Sequence, residues 1–344
     1  MHSRHLGAVA GAAALVGALA LVPGASAGTA GAPAAIPAAV ACSPVTNIEA
    51  IVDDSGSMTI TDPNRLRVQA LDLLIDTPGN EKITFGAVEF GGTFGTFPGQ
   101  PPASDTVFPP EAIGPNAAAM RAALDQKIHA DNGLTDYNAA FAQAQADNPK
   151  AKARIFLTDG GHDAGPYNNG HRGGPPTYVI GFGSATSGAD GQRLRQIASD
   201  TGGKYFPQTD SSKLQAVMNE IGTTLTCQSP PVRFSDAFKR VGQGKSHAVA
   251  LARSARSVQL TLTWANPADT FTVSRVRIVN HGRTVAAARA RRLRLTTRRG
   301  ATFLVVKVTG VTRGSLRFTV RPTTLGSSAS KVSLTTQVTQ SRRR

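Results

Sequence analysis

Short apolar segments alternate with helix-length amphipathic segments from residue 47 to residue 226, and this alternation constrains the fold more than any other feature. Residues 48–52, 155–157 and 178–182 are each apolar and short enough to form one strand. The segment 155–157 has no polar face, which is typical of a strand buried on both sides of a parallel sheet. We therefore predict an α/β fold: a doubly wound, mostly parallel sheet with helices on both faces.

The order of the elements also indicates where a ligand binds. Residues 83–90 and 204–206 are further strand candidates, and the Pro- and Gly-rich residues 94–108 have the character of a loop or an edge strand. Helices are predicted over residues 63–75, 116–128, 136–146, 190–200 and 211–225. In doubly wound sheets, ligands bind at the carboxyl ends of the strands, near the point where the winding reverses. Asp53 and Asp159 each end a predicted strand, so we expect both at this edge.

The last third of the chain changes to a period of two. Apolar and polar residues alternate over six segments, separated by turn residues: 257–264, 272–279, 292–296, 302–308, 316–320 and 332–338. Evenly spaced alternating segments without a helix predict an antiparallel β-sandwich or jelly roll of about seven to eight strands.

Charge divides the chain at the same place. Residues 228–344 carry 23 lysines and arginines but only two acidic residues, Asp236 and Asp269, a net charge of +21. The preceding residues carry 14 basic and 20 acidic residues, a net charge of −6. We predict one domain over residues 42–227 and a second, basic domain over residues 228–344.

The N-terminus has the layout of a secretory signal peptide. A basic start is followed by the apolar residues 6–22, and Ala25-Ser26-Ala27 supplies the small-residue cleavage pattern. We predict a signal peptide over residues 1–27 and an Ala/Pro/Gly linker over residues 28–41; an uncleaved anchor helix is the alternative. No later segment is long and apolar enough to span a membrane. The expected location is secreted or extracellular, possibly associated with the cell surface.

Cys42 and Cys227 are the only cysteines, and they bracket the α/β segment. Disulfides persist in oxidising compartments outside the cytoplasm, so we predict that these two residues are paired. On the chain-entropy model, closing such a long loop stabilises the fold by about 4–5 kcal/mol.

The loop after the first predicted strand offers several hard oxygen ligands. Asp53 ends the strand, so its carboxylate emerges at the sheet edge, and Ser55 and Ser57 alternate with it. Thr135 precedes a helix and can add a third hydroxyl, while Asp159 can act directly or through water. One carboxylate with neutral hydroxyls suits Mg²⁺ or Mn²⁺ and suits Zn²⁺ poorly. A helix-capping loop without metal is the alternative.

Three segments in this order resemble the metal-ion-dependent adhesion site of the von Willebrand factor type A family. The D-x-S-x-S motif is Asp53-x-Ser55-x-Ser57, the threonine is Thr135 in Gly-Leu-Thr-Asp-Tyr-Asn-Ala-Ala, and the second aspartate is Asp159 in Ile-Phe-Leu-Thr-Asp-Gly. The resemblance covers roughly residues 45–226, and the flanking cysteine pair resembles that of several members. The resemblance implies that the two serines coordinate the ion directly and that the two aspartates coordinate it mostly through water. It also implies that the threonine coordinates the ion in some states of the site and not in others. It also implies that a Glu or Asp of a protein partner completes the coordination.

Arginines form the second candidate binding surface. Their abundance over acidic residues in the last third of the chain favours an anionic partner, more plausibly a wall or envelope polymer, an acidic lipid or a polysaccharide than a specific nucleic acid. A solvated arginine-rich surface without a ligand is the alternative. The candidate residues are Arg275, Arg277, Arg289, Arg291, Arg292, Arg294, Arg298 and Arg299.

We interpret the chain as an exported adhesion or protein-interaction protein without catalytic activity. Its expected cofactor is Mg²⁺ or Mn²⁺, and its expected partner is a protein that offers a carboxylate. The first alternative is an electrostatic binder of anionic envelope polymers. The second, a metal-assisted hydrolase, is disfavoured because no general base is recognisable beside the metal motif.

Overall fold

The computed structural model describes residues 43–91, 103–130, 133–208, 213–228, 231–280, 283–284, 293–326 and 332–342. The predicted signal peptide and linker lie outside the described residues, and so do Cys42, Arg289, Arg291 and Arg292. Among the described residues, no helix is both long enough and apolar enough to cross a membrane.

Six strands form one mixed sheet in the first part of the chain. The strands are β1 (Asn47–Asp53), β2 (Thr84–Phe90), β3 (Ser104–Ala112), β4 (Ala153–Thr158), β5 (Thr177–Phe182) and β6 (Tyr205–Gln208). Their order is β3-β2-β1-β4-β5-β6, and only β3 runs antiparallel to its neighbour. The predicted doubly wound, mostly parallel sheet is confirmed, and the Pro- and Gly-rich segment contributes the antiparallel edge strand.

Helices cover both faces of this sheet, as predicted. They are α1 (Met58–Thr61), α2 (Leu66–Asp76), α3 (Ile113–Lys127), α4 (Tyr137–Asp147), α5 (Gly188–Asp200) and α6 (Leu214–Leu225), with a 3-10 turn over Gly183–Thr186. One buried cluster joins apolar residues of α2, α3 and α6 to one sheet face, and another joins α4 and α5 to the opposite face. β1 supplies Ala50 and Val52 to the first cluster and Ile51 to the second, because successive strand residues point to opposite faces.

Two antiparallel sheets follow, as the alternating pattern predicts. The strands are β7 (Val232–Phe238), β8 (Lys245–Leu251), β9 (Ala255–Thr263), β10 (Thr270–Asn280), β11 (Arg283–Thr284), β12 (Arg294–Arg299), β13 (Phe303–Thr309), β14 (Gly314–Thr324) and β15 (Val332–Arg342). One sheet has the order β11-β10-β14-β8 and the other β12-β13-β9-β15-β7. A single apolar cluster with Trp264, Phe271 and Phe318 joins residues of both sheets.

The five-stranded sheet also packs against α2 and α6. Leu73 of α2 forms a buried cluster with Phe303 and Val305 of β13. The Asn219 side chain of α6 donates from Nδ2 to Gln337 Oε1 at 3.0 Å. Its side-chain oxygen, Oδ1, accepts from Thr261 Oγ1 at 3.2 Å. A buried polar network therefore joins the α/β part of the chain to the β-rich part.

Candidate metal centre

The candidate site lies where the winding of the first sheet reverses. From β1 the chain proceeds to β2 and β3 on one side of the sheet, then returns to β4 on the other side. β1 and β4 are therefore neighbours, with Val52 opposite Leu157. Asp53 ends β1 and Asp159 directly follows β4, so both carboxylates emerge at the same carboxyl edge. This is the edge at which open α/β sheets bind their ligands.

Asp53 organises the loop that follows it. Its side chain is fully buried, and Oδ1 accepts from the Ser55 amide at 2.9 Å and from Ser55 Oγ at 2.6 Å. Its Oδ2 accepts from Thr158 Oγ1 at 2.5 Å. Ser55 Oγ lies 3.2 Å from Ser57 Oγ, and Ser57 Oγ donates to Asp159 Oδ1 at 2.7 Å. Because the serine hydrogens point at carboxylates, lone pairs of both hydroxyl oxygens remain available to a cation.

Asp159 and Thr135 complete the cluster from two other loops. Thr61 Oγ1 donates to the second oxygen of Asp159. A Cβ placed on Gly160 would lie 3.4 Å from Thr135 Oγ1 and 4.0 Å from Ser57 Oγ, so both hydroxyls face this glycine. The Thr135 amide donates to Asp163 Oδ1 at 2.7 Å, which holds its loop against the residues after β4. The structure thus brings all five predicted ligand residues to one place.

A glycine lets the loop after β1 lie against the end of β2. Gly91 has a φ of +138°, and a Cβ on it would lie 2.3 Å from the backbone nitrogen of Ser55. Any side chain at this position would displace the loop that carries Ser55 and Ser57.

The electrostatics of the cluster fit a divalent cation. The pKa of Asp53 is raised to about 6, first because burial removes the carboxylate from water and then because Asp159 is also negative; hydrogen bonds from Ser55 and Thr158 oppose the rise. The ion pairs of the described residues include none with Asp53. A bound cation would offset this charge. The 3.2 Å between the two serine oxygens is close to the roughly 3 Å expected for adjacent ligands of an octahedral ion with bonds of about 2.1 Å.

The donor set consists mainly of hydroxyls rather than charged groups. No cluster of three or more His, Cys, Asp or Glu side chains suited to a metal occurs in the described part of the chain. The candidate centre has two carboxylates and three hydroxyls, which is the hard, weakly charged set expected for Mg²⁺ or Mn²⁺.

A buried ion triad behind the cluster was not recognised from the sequence. Arg67, which is 1% exposed, contacts Asp54 Oδ1 at 2.6 Å and Asp62 Oδ2 at 3.2 Å. Asp54 also accepts from the backbone amides of His129 and Ala130, at 2.8 and 2.7 Å. Asp54 thereby ties the metal loop to α2 and to the residues that follow α3.

The loop after Asp159 is fixed by side-chain hydrogen bonds. Tyr137 donates to the Gly160 carbonyl at 2.6 Å, and the Tyr137 amide donates to His162 Nδ1 at 3.1 Å. Further along, His171 is buried and bonds to Tyr167 and Asp200, at 2.6 and 3.1 Å. The segment after Asp159 is therefore held against α4 and against Asp200 at the end of α5.

The described candidate arginines are divided between the two C-terminal sheets. Arg275 and Arg277 lie on β10 of the four-stranded sheet, whereas Arg294, Arg298 and Arg299 lie on β12 at the edge of the five-stranded sheet. All five are exposed. The described candidate arginines therefore do not form one continuous patch, because β10 and β12 belong to different sheets.

The ends of the α/β part lie close together. The Val45 amide donates to the Leu225 carbonyl at 2.8 Å, which places the chain after Cys42 beside the chain before Cys227. The pairing of these cysteines stays a prediction, because Cys42 lies outside the described residues.

A family model of the von Willebrand factor type A domain matches residues 47–220. Similar solved structures include von Willebrand factor type A from Catenulispora acidiphila, at 18% identity over 87% of this chain and 63% of that chain, with a TM-score of 0.42. Proximal thread matrix protein 1 from the mussel byssus matches at 20% identity over 57% of this chain and 50% of that chain, with a TM-score of 0.43. The pilus adhesin SpaC from Lactobacillus rhamnosus GG matches at 13% identity over 88% of this chain and 45% of that chain, with a TM-score of 0.40.

The chain thus spans less than two thirds of the length of each of these three proteins. At these identities the likeness concerns the fold alone. A comparison with curated proteins found no match.

Proposed function

Because the chain belongs to the von Willebrand factor type A domain family, we propose that its candidate metal centre binds an acidic group of a protein partner through Mg²⁺ or Mn²⁺. The observation that carries the proposal is the convergence of Ser55 and Ser57 with the carboxylates of Asp53 and Asp159 at the switch point of the sheet. Thr135 lies beside them and supplies a third hydroxyl.

Each residue of the centre has a definite task in this proposal. Ser55 and Ser57 offer their hydroxyl oxygens to the ion, while Asp53 and Asp159 accept the hydroxyl hydrogens and so orient the serines. When bound, the cation supplies a positive charge and an open coordination position for a carboxylate oxygen. Since most of the donors are neutral, the ion keeps its attraction for an acidic side chain of the partner.

We propose binding rather than catalysis at this centre. Asp53 and Asp159 accept hydrogen bonds from Ser and Thr hydroxyls, and these bonds commit their oxygens to holding the loop. A hydrolase would need a general base with a free oxygen or nitrogen directed at an attacking water.

Two exposed apolar residues beside the centre suit contact with a protein. Ile60 of α1 is 82% exposed and Leu134, next to Thr135, is 41% exposed. The loops that carry them meet where the Gly56 amide donates to the Gly133 carbonyl at 3.5 Å. Exposed apolar side chains of this kind are buried in the core of a protein interface.

The decisive experiment measures metal affinity and partner binding on matched variants. Calorimetric titration of Mg²⁺ and Mn²⁺ should show binding to the wild type and loss of at least about tenfold in affinity in Asp53→Ala and Ser57→Ala. Asp125→Ala, which removes an exposed carboxylate elsewhere, should bind like the wild type. Equal affinity in Asp53→Ala and the wild type would sink the site assignment.

The partner arm of the experiment uses cell-envelope fractions with and without EDTA. We expect EDTA to abolish binding and Ile60→Ser to weaken it without changing metal affinity. Val241→Ser is the matched control, because Val241 is also exposed, at 56%, but lies in the turn between β7 and β8. If EDTA leaves binding intact and only high salt removes it, the metal centre is not the adhesive element.

We also propose that the protein is exported and that Cys42 and Cys227 form a disulfide. The N-terminal pattern of basic, apolar and small residues supports export, and the Val45–Leu225 hydrogen bond supports proximity of the two cysteines. N-terminal sequencing of the recovered protein should begin at Gly28, and non-reducing peptide mapping should join the two cysteine peptides. Recovery of the free thiols from unreduced protein would contradict the pairing.

The charge of the C-terminal part supports a second candidate function, binding of an anionic envelope polymer. Residues 228–344 have a net charge of +21, a surplus that attracts polyanions. In this case binding to envelope fractions should fall with ionic strength and be insensitive to EDTA.

A further inference from the structure

A cleft on the four-stranded C-terminal sheet is lined by three arginines. Arg275 and Arg277 of β10 and Arg317 of β14 surround a volume of about 180 Å³. Arg317 was not among the residues selected from the sequence.

The three arginines line the cleft without an ion-pair partner among the described residues. Arg277 lies directly opposite Arg317 across the β10–β14 ladder, an arrangement that destabilises an antiparallel pair when the charges are alike. None of the three forms an ion pair or a side-chain hydrogen bond with another described residue. Asp236 does not line the cleft and is bound to His247 Nε2 at 2.7 Å.

The backbone also departs from regular geometry at the cleft. β10 has a register irregularity between Ser274 and Arg277, and Arg275 within it has a φ of +52°. A non-glycine residue in this region of φ is uncommon and costs free energy, and such strain concentrates at functional sites. The bulge re-aims the Arg275 side chain toward the cleft that Arg277 and Arg317 line.

Hydroxyls add neutral donors to the same cleft. Ser246 Oγ and Thr319 Oγ1 lie 2.9 Å apart, so only one of their two hydrogens is used between them. The other is available to an acceptor in the cleft. Planar guanidinium groups with neutral hydroxyl donors form the set that binds phosphate oxygens, often with two bonds from one arginine.

We propose that this cleft binds the phosphate groups of an anionic polymer. The inference deepens the second function proposed above, since it names the site and the chemistry of the ligand. A lipid surface fits the cleft less well. The exposed large apolar side chains of the described residues are Ile60, Leu134, Val241 and Leu295, and none of them lines it.

The test uses inorganic pyrophosphate as the probe for the site. Calorimetric titration should show saturable binding to the wild-type protein and a loss of at least about tenfold in affinity in Arg277→Gln with Arg317→Gln, given the strength of charge-assisted hydrogen bonds. The control, Arg253→Gln with Arg256→Gln, removes the same charge at exposed positions outside the cleft, and should bind like the wild type. Equal losses in both double variants would mean non-specific attraction and would overturn the site.

Two further controls separate a loss of binding from a loss of folding, and a polymer ligand from a lipid ligand. Arg317→Lys keeps the charge but loses the two-bond geometry, so it should weaken pyrophosphate binding while leaving the melting temperature unchanged. A soluble glycerol-phosphate polymer should compete with pyrophosphate, whereas vesicles of phosphatidylglycerol should not. Competition by the vesicles and none by the polymer would overturn the polymer as ligand.

The second proposed function can fail independently of the cleft. Salt-sensitive envelope binding that persists in the cleft variants would support a polyanion-binding surface elsewhere and refute the cleft. Pyrophosphate binding at the cleft without any salt-sensitive envelope binding would support the site and refute the envelope function.

Discussion

At the scale of single residues, a buried carboxyl group in the α/β part has a shifted pKa and lacks a hydrogen-bond partner for one of its oxygens. Glu49 lies in the middle of β1 and is fully buried, with Oε2 accepting from Asn148 at 2.9 Å and Oε1 without a hydrogen-bond partner. Its pKa is raised to about 8, first by burial and then by the charge of Asp147; the Asn148 hydrogen bond and Arg154 oppose the rise.

This pKa makes stability depend on pH in a defined direction. The folded state holds a proton on Glu49 that the unfolded state releases near pH 4.5. Stability should therefore fall from about pH 4.5 to about pH 8, by up to about 1.4 kcal/mol per pH unit from this group, and then level off. Glu49→Gln should remove this part of the slope, because an amide stays neutral throughout. Urea unfolding at several pH values checks this, and identical slopes in both proteins would contradict a protonated Glu49.

At the scale of elements, α2 joins the metal loop to the rest of the fold through one arginine. Arg67 sits in the first turn of α2 and places its positive charge between the carboxylates of Asp54 and Asp62, both fully buried. Removing it leaves two uncompensated charges in the interior, so Arg67→Met should destabilise the protein by about 3–5 kcal/mol. It should also weaken Mg²⁺ binding, since the Asp54 carboxylate would keep only its bonds from the His129 and Ala130 amides and would lose its tie to α2. Arg172→Met, which breaks an exposed pair with Asp200, should cost no more than about 1 kcal/mol.

Chemical denaturation and metal titration of the two variants separate these effects. If Arg67→Met unfolds at the same urea concentration as Arg172→Met, the triad contributes little to stability. A metal affinity unchanged in a folded Arg67→Met protein would show that the loop keeps its shape without α2.

Apolar periodicity predicted most elements of the α/β part, because strands buried on both faces and helices buried on one face have distinct sequence patterns. β7 and β8 were not predicted. Asp236 of β7 and His247 of β8 occupy alternating positions that would otherwise be apolar, and they pair with each other at 2.7 Å. The ring of His247 stacks near Phe234 and Phe318, at 4.3 and 5.4 Å between centroids. Each of these two polar residues finds its partner in the other sheet. Neither segment alone therefore shows the apolar alternation that predicts a strand.

The candidate centre, too, could be predicted from the sequence only in part. Asp53, Ser55 and Ser57 are close in sequence, and Asp159 ends a recognisable strand, so their meeting follows from the topology of the sheet. The contacts of Thr61 with Asp159 and of Thr158 with Asp53 depend on side-chain directions that periodicity does not specify. The partners of Arg67 are hidden for the same reason.

At the scale of the whole molecule, the β-rich part is joined to the α/β part by buried polar contacts. α6 is buried on nearly all sides because it lies between the first sheet and the five-stranded sheet. Gln337 of β15 accepts from Asn219 at 3.0 Å and donates to the Ala216 carbonyl at 3.0 Å. Such contacts fix one arrangement of the two parts, because any other would leave amide groups buried without partners.

A double-mutant cycle on this contact tests how tightly the two parts are coupled. Asn219→Ala should lower the free energy of unfolding by about 1–3 kcal/mol, because Gln337 and Thr261 each lose a buried partner. The double variant with leucine at positions 219 and 337 should lose less than the sum of the single Asn219→Leu and Gln337→Leu variants, since neither side then leaves an unsatisfied amide. Asn116→Ala, which removes an exposed bond to the Ala112 carbonyl just before α3, should change stability by no more than about 0.5 kcal/mol.

Urea unfolding followed by tryptophan fluorescence and by circular dichroism supplies both readouts. Trp264 reports on the β-rich part, where it is buried, and the helices that dominate the circular dichroism belong to the α/β part. If the two parts are coupled, fluorescence and circular dichroism should give coincident transitions in the wild type. Asn219→Ala should then shift both transitions together or, where it uncouples the parts, separate the two transitions. Separate transitions in the wild type, with a purely additive cycle, would show that the two parts fold independently.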